Sequence, residues 1–315
     1  MQSWDQLLQS IEEADIITIF RHTHPDCDAV GSQFGMKEWL RYWWPDKQVY
    51  ALGAESCSQG HWPESDQADD ETVRKSLAIV LDTANVPRID DERSMSASKV
   101  IKIDHHPDRD PYGDVRYVFE TSAATCEILT QMMCDTGKMP DDLCAKYLYS
   151  GLLTDTLCFR TSNTTAHTLK MASVLAEFNV PIPELNRELF DRSMHEFRFA
   201  CEVRSRLQIN DAGTVGIVRL DLETLAEYGL TPSEGRNYID EIGHIHELEI
   251  WCIFTVHPEH PELWNGSLRS KTVPVNDIAE HFGGGGHKNA SGVKDLTDSA
   301  LQELIHQLYQ RAEKR

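Results

Sequence analysis

Apolar runs and amphipathic stretches alternate along the first half of the chain. The segments "ADIITIF" (14–20), "QVYALG" (48–53), "SLAIVLDTA" (76–84) and "KVIKIDHH" (99–106) each read as a buried strand. Helical patterns lie between them, as in "GSQFGMKEWLRYW", where Phe34, Trp39 and Leu40 fall along one face. Such alternation predicts an α/β fold with a doubly wound parallel sheet. From about 163 to 206 the pattern turns helical: "NTTAHTLKMASVLAEFNV", a "PIP" break, then a long charged stretch, "ELNRELFDRSMHEFRFACEVRSRL", that reads as a connector. The strand-like segments "AGTVGIVRLD", "ELEIWCIFTVHP" and "GSLRSK" follow. After them come a short helix "VNDIAEHF", a glycine run "GGGGHKNASG" and a closing helix "SALQELIHQLYQRAEKR". This half predicts a smaller α+β domain.

Length and charge narrow the classes of function. The 315 residues suffice for two domains, and 40% hydrophobic with 26% charged residues is an ordinary globular balance. No apolar run is long enough to span a bilayer, and the acidic start "MQSWDQLLQSIEEAD" lacks the basic region of a secretory signal. Eight cysteines without a CxxC pair read as reduced, mostly buried thiols of a cytoplasmic protein. The net charge of −21 disfavours an anionic membrane surface or a long nucleic acid, because neither finds a basic surface to follow. A short anionic ligand met by focused cations stays open, as does a homodimer.

Candidate chemistry collects at strand ends. His22, Asp26 and Asp28 follow the first strand, Asp82 closes another, and Asp104, His105 and His106 end the run "KVIKIDHH". Singly, an Asp at a strand end is most often a turn former. Together they lie where open α/β sheets collect ligands, at the carboxyl ends of the strands. Histidines with several carboxylates suit a pair of Mn²⁺ or Mg²⁺ ions, and imidazole favours Mn²⁺. Without cations, two carboxylates about 4 Å apart repel by about 4 kcal/mol at an effective dielectric near 20. Asp155, in the apolar "YSGLLTDTLCFR", needs a buried partner, and metal ligation supplies one.

The motifs "HTHPDCDAVGS", "LDTAN", "IDHHP" and "GLLTDTLCFRTSNTT" resemble, in order, the four motifs of the DHH phosphoesterase family. "GSLRSK" and "GGGGHKNASG" resemble its DHH-associated substrate domain, and the nearest group is the bacterial oligoribonuclease type that also acts as a pAp phosphatase. The resemblance implies a DHH catalytic domain over 1–188, a helical linker over 189–206 and a substrate-binding domain over 207–315. It implies one Mn²⁺ on His22, Asp26 and Asp82 and a second on Asp28, Asp82, His105 and Asp155. Asp104 and His106 then serve catalysis, Asp104 orienting an imidazole and His106 facing the scissile phosphate. The family usually has glycine where this chain has Cys27, a strained choice if that position needs positive φ.

Consecutive glycines let backbone N–H groups converge on an anion, and a helix start after them would strengthen the pull. Arg269 offers a bidentate fork for phosphate. The resemblance implies that Arg269, Ser270, Gly285, Gly286 and His287 grip the far end of the substrate. The reading is a Mn²⁺-dependent phosphodiesterase that degrades short oligoribonucleotides to mononucleotides by two-metal hydrolysis. A pAp phosphatase or a hydrolase of linear pApA is the alternative. An inorganic pyrophosphatase fits the first half only, and a non-catalytic nucleotide-binding module leaves the ligand set unexplained. Bland readings suit the rest: Trp39, Trp43 and Trp44 as packing, His167 as helix surface, "HIHE" (244–247) as strand and "HPEHPE" (257–262) as loop.

Overall fold

The computed structural model describes residues 3–313. The chain divides into two compact units between Asp191 and Arg192. The first holds strands β1 (Ile16–Phe20), β2 (Gln48–Ala51), β3 (Leu77–Leu81), β4 (Lys99–Asp104) and β5 (Val115–Val118). All are parallel, in the order β2-β1-β3-β4-β5. Around them run α1 (Asp5–Glu13), α2 (Cys27–Trp43), α3 (Asp70–Lys75), α4 (Thr125–Thr136), α5 (Asp142–Asp155), α6 (Ala166–Ala176) and α7 (Ile182–Phe190).

Central strands are apolar on both faces because both faces are covered. Ile17, Ile19, Ile79, Leu81, Ile101 and Ile103 join the main core with α1, α2, α4 and α5. A thinner layer with Phe20, Val80, Val100 and Tyr112 covers the other face. Trp39, Trp43 and Trp44 pack into the main core, as the sequence suggested. The strand order reverses between β1 and β3, which opens a crevice at their carboxyl ends. Residues 22–28 and Asp82 border it.

Helices α2 and α5 approach closely because small residues face each other. A Cβ on Gly31 would lie 2.7 Å from the Tyr147 carbonyl oxygen. A Cβ on Gly151 would lie 2.9 Å from both the Asp28 Cα and the Cys27 carbonyl oxygen. Asp155 stands one turn beyond Gly151, on the same face. Glycine at 151 therefore sets the approach that brings Asp28 and Asp155 together.

The second unit has α8 (Met194–Ser205), β6 (Gln208–Ile209), β7 (Val215–Leu220), α9 (Leu222–Glu227) and α10 (Pro232–Arg236). It continues with β8 (Ile250–Val256), β9 (Leu263–Ser270), α11 (Asn276–His281), β10 (Gly285–His287), β11 (Ala290–Thr297) and α12 (Asp298–Glu313). Its sheet runs β10-β11-β9-β8-β7-β6, antiparallel except for β7 with β8.

Three expectations change here. The long stretch 184–207 is two helices, α7 and α8. Ser193 breaks it, accepting from the Glu196 N–H while the Glu196 side chain caps Ser193 in return. The signal was legible as "SMHE". Phe199 and Val203 of α8 are buried with Val218 and Leu220, inside the second unit's core. The segment 244–247 is a turn ahead of β8 and not a strand. The glycine run does not open a helix: it forms edge strand β10, turning at Lys288–Asn289 into β11.

Candidate metal centre

Each acid of the first unit's cluster is placed by local structure. Asp26 caps α2, its Oδ1 accepting from the Asp28 and Ala29 N–H groups at 3.0 Å. Its Oδ2 is left facing His22 Nε2 at 3.7 Å. Asp28 is buried and accepts from the first N–H groups of α4, Thr125 at 2.7 Å and Cys126 at 2.9 Å. Asp82 follows β3 with φ of 51°, a left-handed conformation that costs a non-glycine residue about 1 kcal/mol or more. Leu157, Cys158 and Phe159 are left-handed in succession, turning the chain away directly after Asp155.

The histidines are fixed by their outer nitrogens. His22 Nδ1 lies 2.8 Å from the Thr23 carbonyl, and His105 Nδ1 lies 3.3 Å from the Ser122 carbonyl. A carbonyl only accepts, so Nδ1 carries the proton in each ring and Nε2 is free to ligate. His22 Nε2 is 3.4 Å from Asp82 Oδ2. His105 Nε2 is 3.4 Å from Asp82 Oδ1, 3.6 Å from Asp155 Oδ2 and 4.0 Å from Asp28 Oδ2. Asp82 thus turns one oxygen toward each histidine.

Three sets of potential ligand atoms lie within 4.8 Å of one another: His22, Asp26 and Asp82; Asp28, His105 and Asp155; and Asp82, His105 and His106. Asp104, buried at the end of β4, accepts at Oδ1 from His106 Nδ1 at 2.9 Å and from its backbone N–H at 3.1 Å. The imidazole that Asp104 orients is therefore that of His106. Thr125 went unnoticed in the sequence, yet its hydroxyl donates to Asp82 Oδ1 at 3.1 Å while its N–H holds Asp28. No sequence signal marks it apart from its place at a helix start.

The electrostatics fit a cation pair. Burial, and then the charge of Asp82, push Asp28 up to about 7. Burial, and then Asp28, push Asp155 up to about 9. Burial alone would lower His22, but Asp26 and Asp82 outweigh it and raise the imidazole to about 10. His105 likewise reaches about 10 against its burial, through Asp82 and Asp28. Burial would raise Asp82, yet His105 and His22 together hold it below the usual carboxylate range. Protons on these groups balance carboxylate charge that a divalent cation would balance instead. Asp155 adds to the case, since it ends α5, where the helix dipole disfavours an anion and welcomes a cation.

Cys27 opens α2 and is not among the residues with positive φ, so a side chain there carries no backbone strain. Its Sγ lies 3.8 Å from Cys57 Sγ. All eight cysteines are free thiols.

In the second unit, Arg269 pairs across the sheet with Trp251 and Ala290, and Ala290 pairs with His287. Directly paired residues share a face, and two strand spacings separate Arg269 from His287 by about 10 Å. Alanine floors the gap between them. Arg269 has no carboxylate partner among the described residues, its guanidinium donating to the Leu268 carbonyl at 3.0 Å. Ser270 is buried, donating to the Val273 carbonyl and accepting from Asn289. Gly286 has φ of 143°, and a Cβ there would meet the Ala290 carbonyl oxygen at 2.5 Å. Gly285 has open space where a Cβ would sit. His167 lies on the surface of α6, as expected, and 257–262 is a loop. No helix among the described residues is long and apolar enough to cross a membrane.

Residues 16–152 match the DHH family, N-terminal domain, and residues 214–314 match the DHHA1 domain. A Bacillus subtilis protein named bifunctional oligoribonuclease and PAP phosphatase NrnA is 32% identical over 95% of this chain and 96% of its own length. A Streptococcus mutans protein named as a probable enzyme of the same kind is 33% identical over 98% of both chains. The crystal structure of an exopolyphosphatase-related protein from Bacteroides fragilis superposes with a TM-score of 0.81 at 22% identity, covering 98% of this chain and 95% of that one. That likeness extends the shared fold across both units. By its motifs, its domain order and its near full-length relatives, the chain belongs to the DHH family.

Proposed function

We propose that this protein is a manganese-dependent phosphodiesterase that shortens oligoribonucleotides of a few residues to mononucleotides. The observation that carries the reading is Asp82, whose two oxygens face two different histidines, each beside further carboxylates. In this reading His22, Asp26 and Asp82 hold one ion, and Asp28, Asp82, His105 and Asp155 hold the other. Bound there, two divalent cations would supply an activated water and offset charge on the phosphate. The protein's own part is to hold these donors in register, with Thr125 fixing Asp28 and Asp82. His106, held by Asp104, delivers a proton to the departing ribose oxygen. Arg269 and His287 grip a terminal phosphate over Ala290, aided by the glycine backbone of β10. Imidazole in both ligand sets favours Mn²⁺ over Mg²⁺.

The names of the two relatives support a second activity at the same site, removal of a phosphate from pAp. Linear pApA would be a substrate on the same chemistry. The net charge of −21 supports short substrates over long strands, and eight free thiols support a cytoplasmic home. The test is a Mn²⁺-supplemented panel of di- to decaribonucleotides, pAp and pyrophosphate, compared by kcat/KM. The reading expects the shortest oligomers to lead. A strong preference for pAp over every oligomer would transfer the principal role to the phosphatase, and no turnover of any of them would end the reading.

A further inference from the structure

Lysine in the middle of an apolar parallel strand is out of place unless something holds its charge. Lys102 is such a residue: it sits within β4, fully buried, two positions before Asp104 and so on the same face. Its Nζ donates to the Ala84 carbonyl at 3.0 Å and to Asp108 Oδ1 at 3.3 Å. It lies 3.2 Å from Asp104 Oδ2. Two acceptors take protons of the ammonium group, and the Asp104 carboxylate oxygen stands beside it as an ion-pair partner. The Tyr112 ring lies 4.7 Å from Nζ, and its hydroxyl donates to the Thr83 carbonyl at 2.8 Å. Ala84 and Thr83 directly follow Asp82. Lys102 and Tyr112 therefore fasten the segment carrying Asp82 to the segment carrying Asp104, His105 and His106.

Asp104 Oδ2 accepts no hydrogen bond among the described side chains and backbone, so the ammonium is its charge partner. The other oxygen, Oδ1, is the one that holds the His106 ring. We infer that Lys102 is a positioning residue for the phosphoester chemistry, fixing the Asp104 carboxylate that in turn aims His106 at the leaving oxygen. This rests on the role given to His106 in the proposed function. An ordinary structural ion pair would stabilise the fold and leave turnover by the folded enzyme alone. A positioning residue acts on turnover, and it does so through His106.

The experiment compares Lys102→Met in the wild-type and His106→Ala backgrounds, with full-length Mn²⁺-loaded protein and the best dinucleotide of the panel. In the wild-type background, kcat should fall about tenfold to a hundredfold, the range for removing a partner that orients a functional group, with KM and bound manganese within about twofold. In the His106→Ala background the same change should alter the residual rate by less than about twofold, because the route is already cut. Equal losses in both backgrounds, an unchanged kcat, or a loss that tracks manganese content would overturn the inference. Should Lys102→Met fail to fold, Lys102→Gln, which keeps N–H donors without the charge, is read against the same expectations. An inactive wild type would overturn the functional reading and this inference with it, whereas an active wild type with equal losses overturns the inference alone.

Discussion

Manganese loading should expel protons, and the number follows from the site. In the metal-free protein His22 and His105 are raised to about 10 and Asp155 to about 9. At pH 7 each holds nearly a full proton, while Asp28, at about 7, holds about half of one. Ligands must be deprotonated to bind. Filling both proposed sites should therefore release about three protons between pH 7 and 8, and the combined affinity for two ions should rise about a thousandfold over that unit. Calorimetric titration of Mn²⁺ in two buffers of different ionisation enthalpy counts the protons directly.

Thermal stability gives a second view of the same linkage. The folded-state values of His22 and His105 lie above the ordinary 6.5, so their contribution is complete below 6.5 and fades as pH climbs through 10. Asp28 and Asp155 are raised from 3.8, so they too cost stability as pH climbs through about 7 and 9. Asp82 is lowered and acts in the opposite sense, below 3.8. Metal-free protein should accordingly weaken from pH 7 to 10, and the gap between chelated and Mn²⁺-loaded melting temperatures should widen. No proton release, together with an affinity indifferent to pH, would refute the reasoning.

Other outcomes follow from single substitutions. Asp82→Asn should fold but lose about a thousandfold or more in kcat/KM, since both proposed ions lose a shared ligand, and the assay is Mn²⁺-supplemented dinucleotide hydrolysis. Arg269→Ala should raise KM about tenfold or more with kcat nearly constant, as expected for a grip on substrate away from the reacting bond. Gly151→Ala should destabilise by about 1–3 kcal/mol in denaturant unfolding, because its Cβ would press on the backbone of Asp28 and Cys27. The same variant should weaken manganese binding at Asp28 and Asp155.

Much of the centre was legible because its residues end apolar strands, and strand ends can be read from period and composition. His22, Asp26, Asp28, Asp82 and His105 all fall at such ends, and Asp155 stood out as a charge in an apolar run. The second unit's turns were harder. "GGGGHKNASG" carries no strand signal of its own, and β10 exists because the tight turn at Lys288–Asn289 folds β11 back beside it. Helices α4 and α5 lack a clean period because they are buried on several sides, and β5 is a short, partly exposed edge strand with too few residues to show one. Thr125 and Lys102 were silent for a related reason. What matters about them is a contact made across the fold, and nothing local announces it.

Anomalous diffraction at the manganese edge, from crystals grown with Mn²⁺, tests the binuclear centre most directly. Two peaks are expected, one touching His22, Asp26 and Asp82, the other touching Asp28, His105 and Asp155, with Asp82 reaching both. A single peak, or manganese bound away from Asp82, would contradict it.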